Sequence, residues 1–94
     1  MYAVLMTKAR MRQITRALGD GTRFEIFERI TARDELPCID LKKQLSITAA
    51  TLSHHIKELA DAGLIQTRQQ GKCVHLSADR RTWLAYLRRL KKIL

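Results

Sequence analysis

Thr51, Ser53, His54 and Lys57 lie within one seven-residue stretch, and each carries a group that can hydrogen-bond to a base edge or a phosphate. At about 100° per residue, Ala50, His54 and Lys57 fall on one helix face, while Leu52, Ile56 and Leu59 fall on the opposite one. Such a helix is anchored by one side and presents the other. The acidic Glu58 and Asp61 are confined to its far end, so its N-terminal half suits entry into a DNA major groove. The same periodicity also fits an ordinary amphipathic surface helix.

Other chemistry is sparse. The three histidines have no cysteine or serine at a recognisable nucleophile motif, and no glycine-rich phosphate loop occurs, so neither an enzyme nor a bound cofactor is expected. His54 and His55 point about 100° apart on a helix and chelate one ion poorly together. The two cysteines, Cys38 and Cys73, leave either thiol chemistry or plain packing. Cys38 falls at the N-terminal end of a helix beside Lys42 and Lys43, a setting that favours the thiolate and makes redox or persulfide sensing an alternative reading.

The elements that must hold the polar stretch can be read around it. Thr48 is a good N-cap, Ile47 can staple onto Leu52, and Gly63 stands where a helix stops, which gives a helix over Ala49–Ala62. With a shorter helix from Asp40 before it, residues 40–62 form a helix-turn-helix. Residues 64–77 then read as a β-hairpin: Leu64–Arg68 is strand-like, Gln70-Gly71-Lys72 is the turn, and Val74 and Leu76 alternate onto one face. A helix-turn-helix followed at once by a basic-tipped hairpin is the winged-helix order.

In these residues the chain resembles the ArsR/SmtB family of small dimeric winged-helix repressors. Ala17-Leu-Gly-Asp-Gly-Thr-Arg23 is similar to the family's Leu-x-Asp-x-Thr-Arg opening of the second helix. Leu41, Leu45, Ile47, Ser53, His55, Ile56, Leu59, Ala62, Gly63, Leu64 and Ile65 fit its recognition region, and Gly71-Lys72 fits its wing turn. The resemblance implies a homodimer built from the first and last helices, and binding of double-stranded DNA. It does not extend to the family's metal sites. Pro37-Cys38-Ile39-Asp40-Leu41 stands where metal-responsive relatives have Cys-x-Cys before Asp-Leu, and the last helix has no histidine, so no metal is expected.

Composition agrees. With 94 residues the chain makes one domain, and it gains from burying more surface in an oligomer. Eighteen Lys and Arg against nine Asp and Glu leave +9, which favours a polyanionic partner. No apolar run approaches the roughly 20 residues needed to span a bilayer, and Tyr2–Met6 is too short for a signal-peptide core, so a cytoplasmic protein is expected. Aromatics are 5% of the chain, too few for a single-strand stacking platform.

The scaffold helices complete the picture. A first helix over residues 4–18 puts Val4, Met11, Ile14 and Leu18 on one side. A second, capped by Asp20 or by the Thr22–Glu25 capping box, places Ile26, Phe27 and Ile30, with Phe24, in the core. Arg33–Cys38 reads as a polar connection restrained by Pro37. A last helix over residues 78–94 spaces Trp83, Leu87, Leu90 and Leu94 by 4-3-4, the seam of a helix pair, beside a crowd of Arg and Lys.

The expected protein is therefore mainly α, a five-helix winged helix-turn-helix with a small β-hairpin wing. Its dimer would form through residues 1–18 and 78–94, using Met11, Ile14, Leu18, Trp83, Leu87, Leu90 and Leu94. It would regulate transcription, as a repressor, at an inverted-repeat operator. Thr48, Ala50, Thr51, Ser53, His54 and Lys57 would face DNA from the helix, and Arg68, Gln70 and Lys72 from the wing. Because Ala49 and Ala50 occupy the first turn, DNA shape or thymine-methyl contacts would carry much of the specificity. The rival class is a winged helix used for protein assembly or RNA binding.

Overall fold

The computed structural model describes residues 4–94, so the start of the Tyr2–Met6 run lies outside the described residues. In chain order the elements are α1 (Lys8–Leu18), α2 (Gly21–Thr31), β1 (Leu36–Pro37), α3 (Cys38–Gln44), α4 (Ala49–Asp61), β2 (Ile65–Gln70), β3 (Cys73–Ala78) and α5 (Arg80–Lys91). Five helices and a small antiparallel sheet make a winged helix-turn-helix.

Caps explain most boundaries. α1 starts at Lys8 and not at Val4, because Thr7 is extended and its hydroxyl accepts the Arg10 N–H. Of the two candidate caps for α2, Asp20 is used, accepting from Arg23 N at 2.9 Å. Ile26, Phe27 and Ile30 are buried as expected, but Phe24 is 42% exposed. It sits about 60° beyond Phe27 on the flank of the buried arc. α4 opens on Thr48, whose hydroxyl accepts from Thr51 N. At its end Gly63 takes φ +79°, and Leu64 N reaches back to Leu59 O at 3.0 Å.

Two boundaries differ from the sequence reading. The connection before α3 contains a strand: Leu36 pairs with Leu76 and Pro37 with His75, giving a three-stranded sheet in the order β1-β3-β2 where a hairpin was expected. Proline is tolerated there because β1 is an edge, and Leu36 is buried to 1% exposure. That pairing also starts α3 at Cys38, two residues ahead of Asp40. At the other end Ala78 belongs to β3 and α5 stops at Lys91, so Leu94 lies beyond the helix, fully exposed.

The core joins all elements. Ile14, Ile26, Ile30, Leu36, Leu41, Leu59, Leu64 and Leu76 are fully buried, so truncating one of the leucines to alanine would cost about 2–5 kcal/mol. Thr15 Oγ1 and Tyr86 OH meet at 2.8 Å between α1 and α5, and Trp83 lies edge-on to Phe27 of α2.

Candidate nucleic-acid interface

α4 is fixed along one face and at its C-terminal end, and open elsewhere. Leu52 and Leu59 are buried against the core, and Ile47 packs beside them. Between them His55 is 7% exposed, and its Nδ1 accepts a hydrogen bond from Arg23 Nε of α2 at 3.2 Å. At the C-terminal end, where backbone carbonyls lack helical partners, Arg10 Nη1 donates to Ala62 O at 2.9 Å and Gln13 Nε2 to Asp61 O at 3.0 Å. α1 thus supplies a cation and an amide to the negative end of α4.

The remaining face is presented to solvent. Thr48, Ala50, Thr51, Ser53, His54 and Lys57 are all exposed. Three of them have partners. The Thr48 hydroxyl donates to Thr51 Oγ1 at 2.9 Å, closing the first turn, and Lys57 Nζ pairs with Asp61 at 2.8 Å one turn on. Ser53 and His54 have side chains free of hydrogen bonds among the described residues. Lys42 and Lys43 on α3 are also exposed, and add positive charge to the helix-turn-helix.

The wing differs more from expectation. Gly71 (φ +60°) and Lys72 form a two-residue tip between Gln70 and Cys73, and both are exposed. Arg68, however, is taken. Its Nε donates to Glu35 Oε2 at 3.0 Å, its Nη2 to Glu35 Oε1, and its Nη1 to Gln70 Oε1 at 2.9 Å. His75 Nδ1 lies 3.4 Å from the same carboxylate. The hydrogen bond from Arg68 holds the Glu35 carboxyl below its ordinary pKa and raises that of the guanidinium. Arg68, expected to face DNA, has its guanidinium paired with a carboxylate just ahead of β1, so that among the described residues Lys72 is the unpaired cation of the wing.

One cysteine has a setting different from the one expected. Cys38 is half-buried against the core, and burial pushes its thiol pKa up, opposite to the lowering expected from its helix position and the nearby lysines. Cys73 is exposed at the start of β3. Among the described residues no group of three or more His, Cys, Asp or Glu could hold a metal ion, and no helix is long and apolar enough to cross a membrane.

Of the residues expected at a helix seam, Leu87 and Leu90 are exposed on α5, with Leu84 beside them. Trp83, half-buried, is packed against Phe27 and Tyr86. Met11 and Leu18 sit partly buried at the edge of α1, and Ile14 is wholly inside the protomer, with no surface to offer a second chain. Its position on α1 faces the α2 and α4 core, so Ile14 supports the helix from within.

Residues 18–68 match the helix-turn-helix domain family. An HTH-type transcriptional regulator of Bacillus subtilis, YuzN, is 38% identical over 63% of this chain and 71% of its own length. The arsenical resistance operon repressor of Staphylococcus aureus is 33% identical over 70% of this chain, which spans 62% of that repressor's length. In fold, the chain is similar to a homodimeric winged helix-turn-helix DNA-binding domain from Mycobacterium bovis, with a TM-score of 0.73, 17% identity, and coverage of 99% of this chain and 88% of that one.

Proposed function

The chain belongs to the ArsR-type helix-turn-helix transcriptional regulators, and from that membership and the geometry of α4 we propose that it is a homodimeric, cytoplasmic repressor binding an inverted-repeat operator in duplex DNA. The observation that carries this reading is the asymmetry of α4. Its buried face is bonded to α2 and its C-terminal carbonyls to α1, while Ser53 and His54 stand open on the outer face of its N-terminal half. A helix held at one end and bare at the other enters a major groove without rearranging.

Ser53 and His54 reach base edges, with Thr48, Ala50, Thr51 and Lys57 beside them on the first turns. Lys57 exchanges Asp61 for a phosphate, and Gln70 and Lys72 meet the backbone from the wing. Arg68 positions the wing through Glu35. The exposed Leu84, Leu87 and Leu90 of α5 form the centre of the dimer seam, with Met11, Leu18 and Trp83 at its margin. A two-fold axis then sets the recognition helices about 34–36 Å apart, one turn of DNA.

Selection of tight binders from a randomised duplex pool tests this. An inverted repeat with half-sites one turn apart is expected, and a pool with no enriched sequence contradicts it. Leu87→Glu with Leu90→Glu should sediment as a monomer and lose affinity for the selected repeat. An unchanged dimer would move the seam elsewhere.

A further inference from the structure

The charge of this protein is not spread over its fold. Residues 19–79, which hold α2, the helix-turn-helix and the wing, contain eight Lys and Arg and all nine Asp and Glu, a formal −1. The whole excess of the +9 chain therefore rides on α1 and on the segment from Arg80 onward, neither of which contains an acid. Lys8, Arg12 and Arg16 form one exposed stripe of α1, and Arg81, Arg88 and Lys92 form another along and just past α5. None of the six lies within ion-pairing distance of a carboxylate among the described residues.

Helix energetics do not explain the pattern. Lys8 and Arg81 stand in first turns, where the helix dipole favours acids. Lys8–Arg12, Arg12–Arg16 and Arg88–Lys92 are like-charge pairs at i,i+4. Only Arg16 in the last turn of α1 and the cations of the last turn of α5 are favourably placed.

Nor do the α1 cations stand beside the exposed N-terminal turns of α4, because α1 meets the opposite end of that helix. Arg10, which meets the C-terminal end of α4 together with Gln13, lies across α1 from Lys8 and Arg12. α4, of 13 residues, is about 20 Å long, which sets roughly the distance between the stripe and the N-terminal turn of α4. That is more than two Debye lengths at physiological salt, so the field of the stripe is largely screened at the phosphates around that turn. α5 adjoins α1 through the Thr15–Tyr86 bond, so the two helices that carry the stripes are neighbours.

We infer that α1 and α5 form a second polyanion-binding surface, and that it takes the phosphate backbone of a second duplex DNA segment, so that one bound dimer bridges two stretches of DNA. The inference rests on the proposed dimeric reading in one respect: the apolar residues beside the cations, Leu84, Leu87 and Leu90, are then covered by the partner and unavailable to a lipid surface. Trp83 and Tyr86 are packed inward, which leaves no exposed ring on α5 to stack bases of a single strand. A rigid row of cations without a stacking surface suits a duplex backbone.

The test immobilises a duplex of single-operator length, saturates it with protein, and offers a labelled duplex lacking the operator, with single-stranded RNA and anionic phosphatidylserine vesicles in parallel arms. At about 100 mM salt, wild type should retain the second duplex and release it steeply as salt rises. A variant carrying Lys8→Gln, Arg12→Gln, Arg16→Gln, Arg81→Gln and Arg88→Gln should hold the operator as before but lose second-duplex capture by at least about tenfold. Capture of no second duplex by wild type, equal capture by the variant, or capture of RNA or vesicles alone would overturn the inference. If the operator itself is not held, the reading of α4 fails separately. Sedimentation of each protein with a short non-operator duplex still decides the second surface, by whether wild type binds one more duplex per protein than the variant.

Discussion

Between α2 and α4 the buried Arg23 guanidinium donates from Nε to His55 Nδ1 across 3.2 Å. An imidazole that accepts at Nδ1 is neutral and carries its proton on Nε2. Arg23 is itself placed by Asp20, which takes its backbone N–H as the cap of α2. Asp20, Arg23 and His55 therefore form one chain of contacts that ties α4 to α2.

This linkage makes stability depend on pH. Burial is the largest influence on His55 and holds its pKa below the usual value, reinforced by Arg23 and His54 and opposed by Asp20. The unfolded chain therefore takes up a proton first as pH falls. The contribution of neutral His55 is complete above about pH 6.5 and is lost as pH drops through the lower folded value. Urea midpoints measured from pH 7.5 to 5 should fall for wild type, and fall less for His55→Gln. At pH 7.5 that variant should lose no more than about 1 kcal/mol, because the amide oxygen can still accept from Arg23. Parallel pH profiles for the two proteins would contradict the assignment.

Gly63 joins the same machinery from the other end of α4. Its φ of +79° suits glycine, and a Cβ there would stand 2.7 Å from Arg10 Nη1, the group that bonds Ala62 O. Gly63→Ala should cost about 1–2 kcal/mol from the backbone alone and lower Tm by roughly 5–15 °C. Arg10→Ala removes the clash, so the double variant should be less unstable than the two single losses summed. Strict additivity would show that Arg10 moves aside freely.

The Glu35–Arg68 pair predicts a gain. Glu35→Gln frees a wing guanidinium that the carboxylate now neutralises, so duplex affinity should rise and the salt dependence should steepen by about one phosphate contact. Filter binding across a salt series measures both. An unchanged slope would show that Arg68 does not reach phosphate even when released.

How much of this could be read in the sequence followed the range of the interactions. Thr48, Gly63 and the Gly71-Lys72 turn act on their immediate neighbours, and the helix they delimit is legible to within a residue and the hairpin strands to within two. The strand at Leu36–Pro37 was not, because two residues carry no periodicity and the pairing depends on β3, about 40 residues on. Phe24 was misplaced because hydrophobicity does not tell the centre of a buried arc from its flank. Val4 and Leu94 were assigned to helices by apolar spacing that extends past Thr7 and Lys91, where the helices begin and end. Arg10, Gln13 and Glu35 escaped notice as site residues for one reason: each acts on a distant segment through one or two bonds, and composition holds no trace of that. Cys38 kept its expected place at a helix start, but the burial that raises its pKa is tertiary.

The central claim, that the outer face of α4 reads sequence while the wing tip grips backbone, is tested most directly by separating discrimination from affinity. Ser53→Ala, His54→Ala and Lys72→Ala should each be titrated against the selected repeat and against scrambled duplex over a salt series. The two α4 variants should lose about 1–3 kcal/mol of preference for the repeat and keep the salt slope, whereas Lys72→Ala should weaken both duplexes alike and flatten the slope by about one. If all three variants lose affinity equally for both duplexes, α4 does not read the bases and the account is wrong.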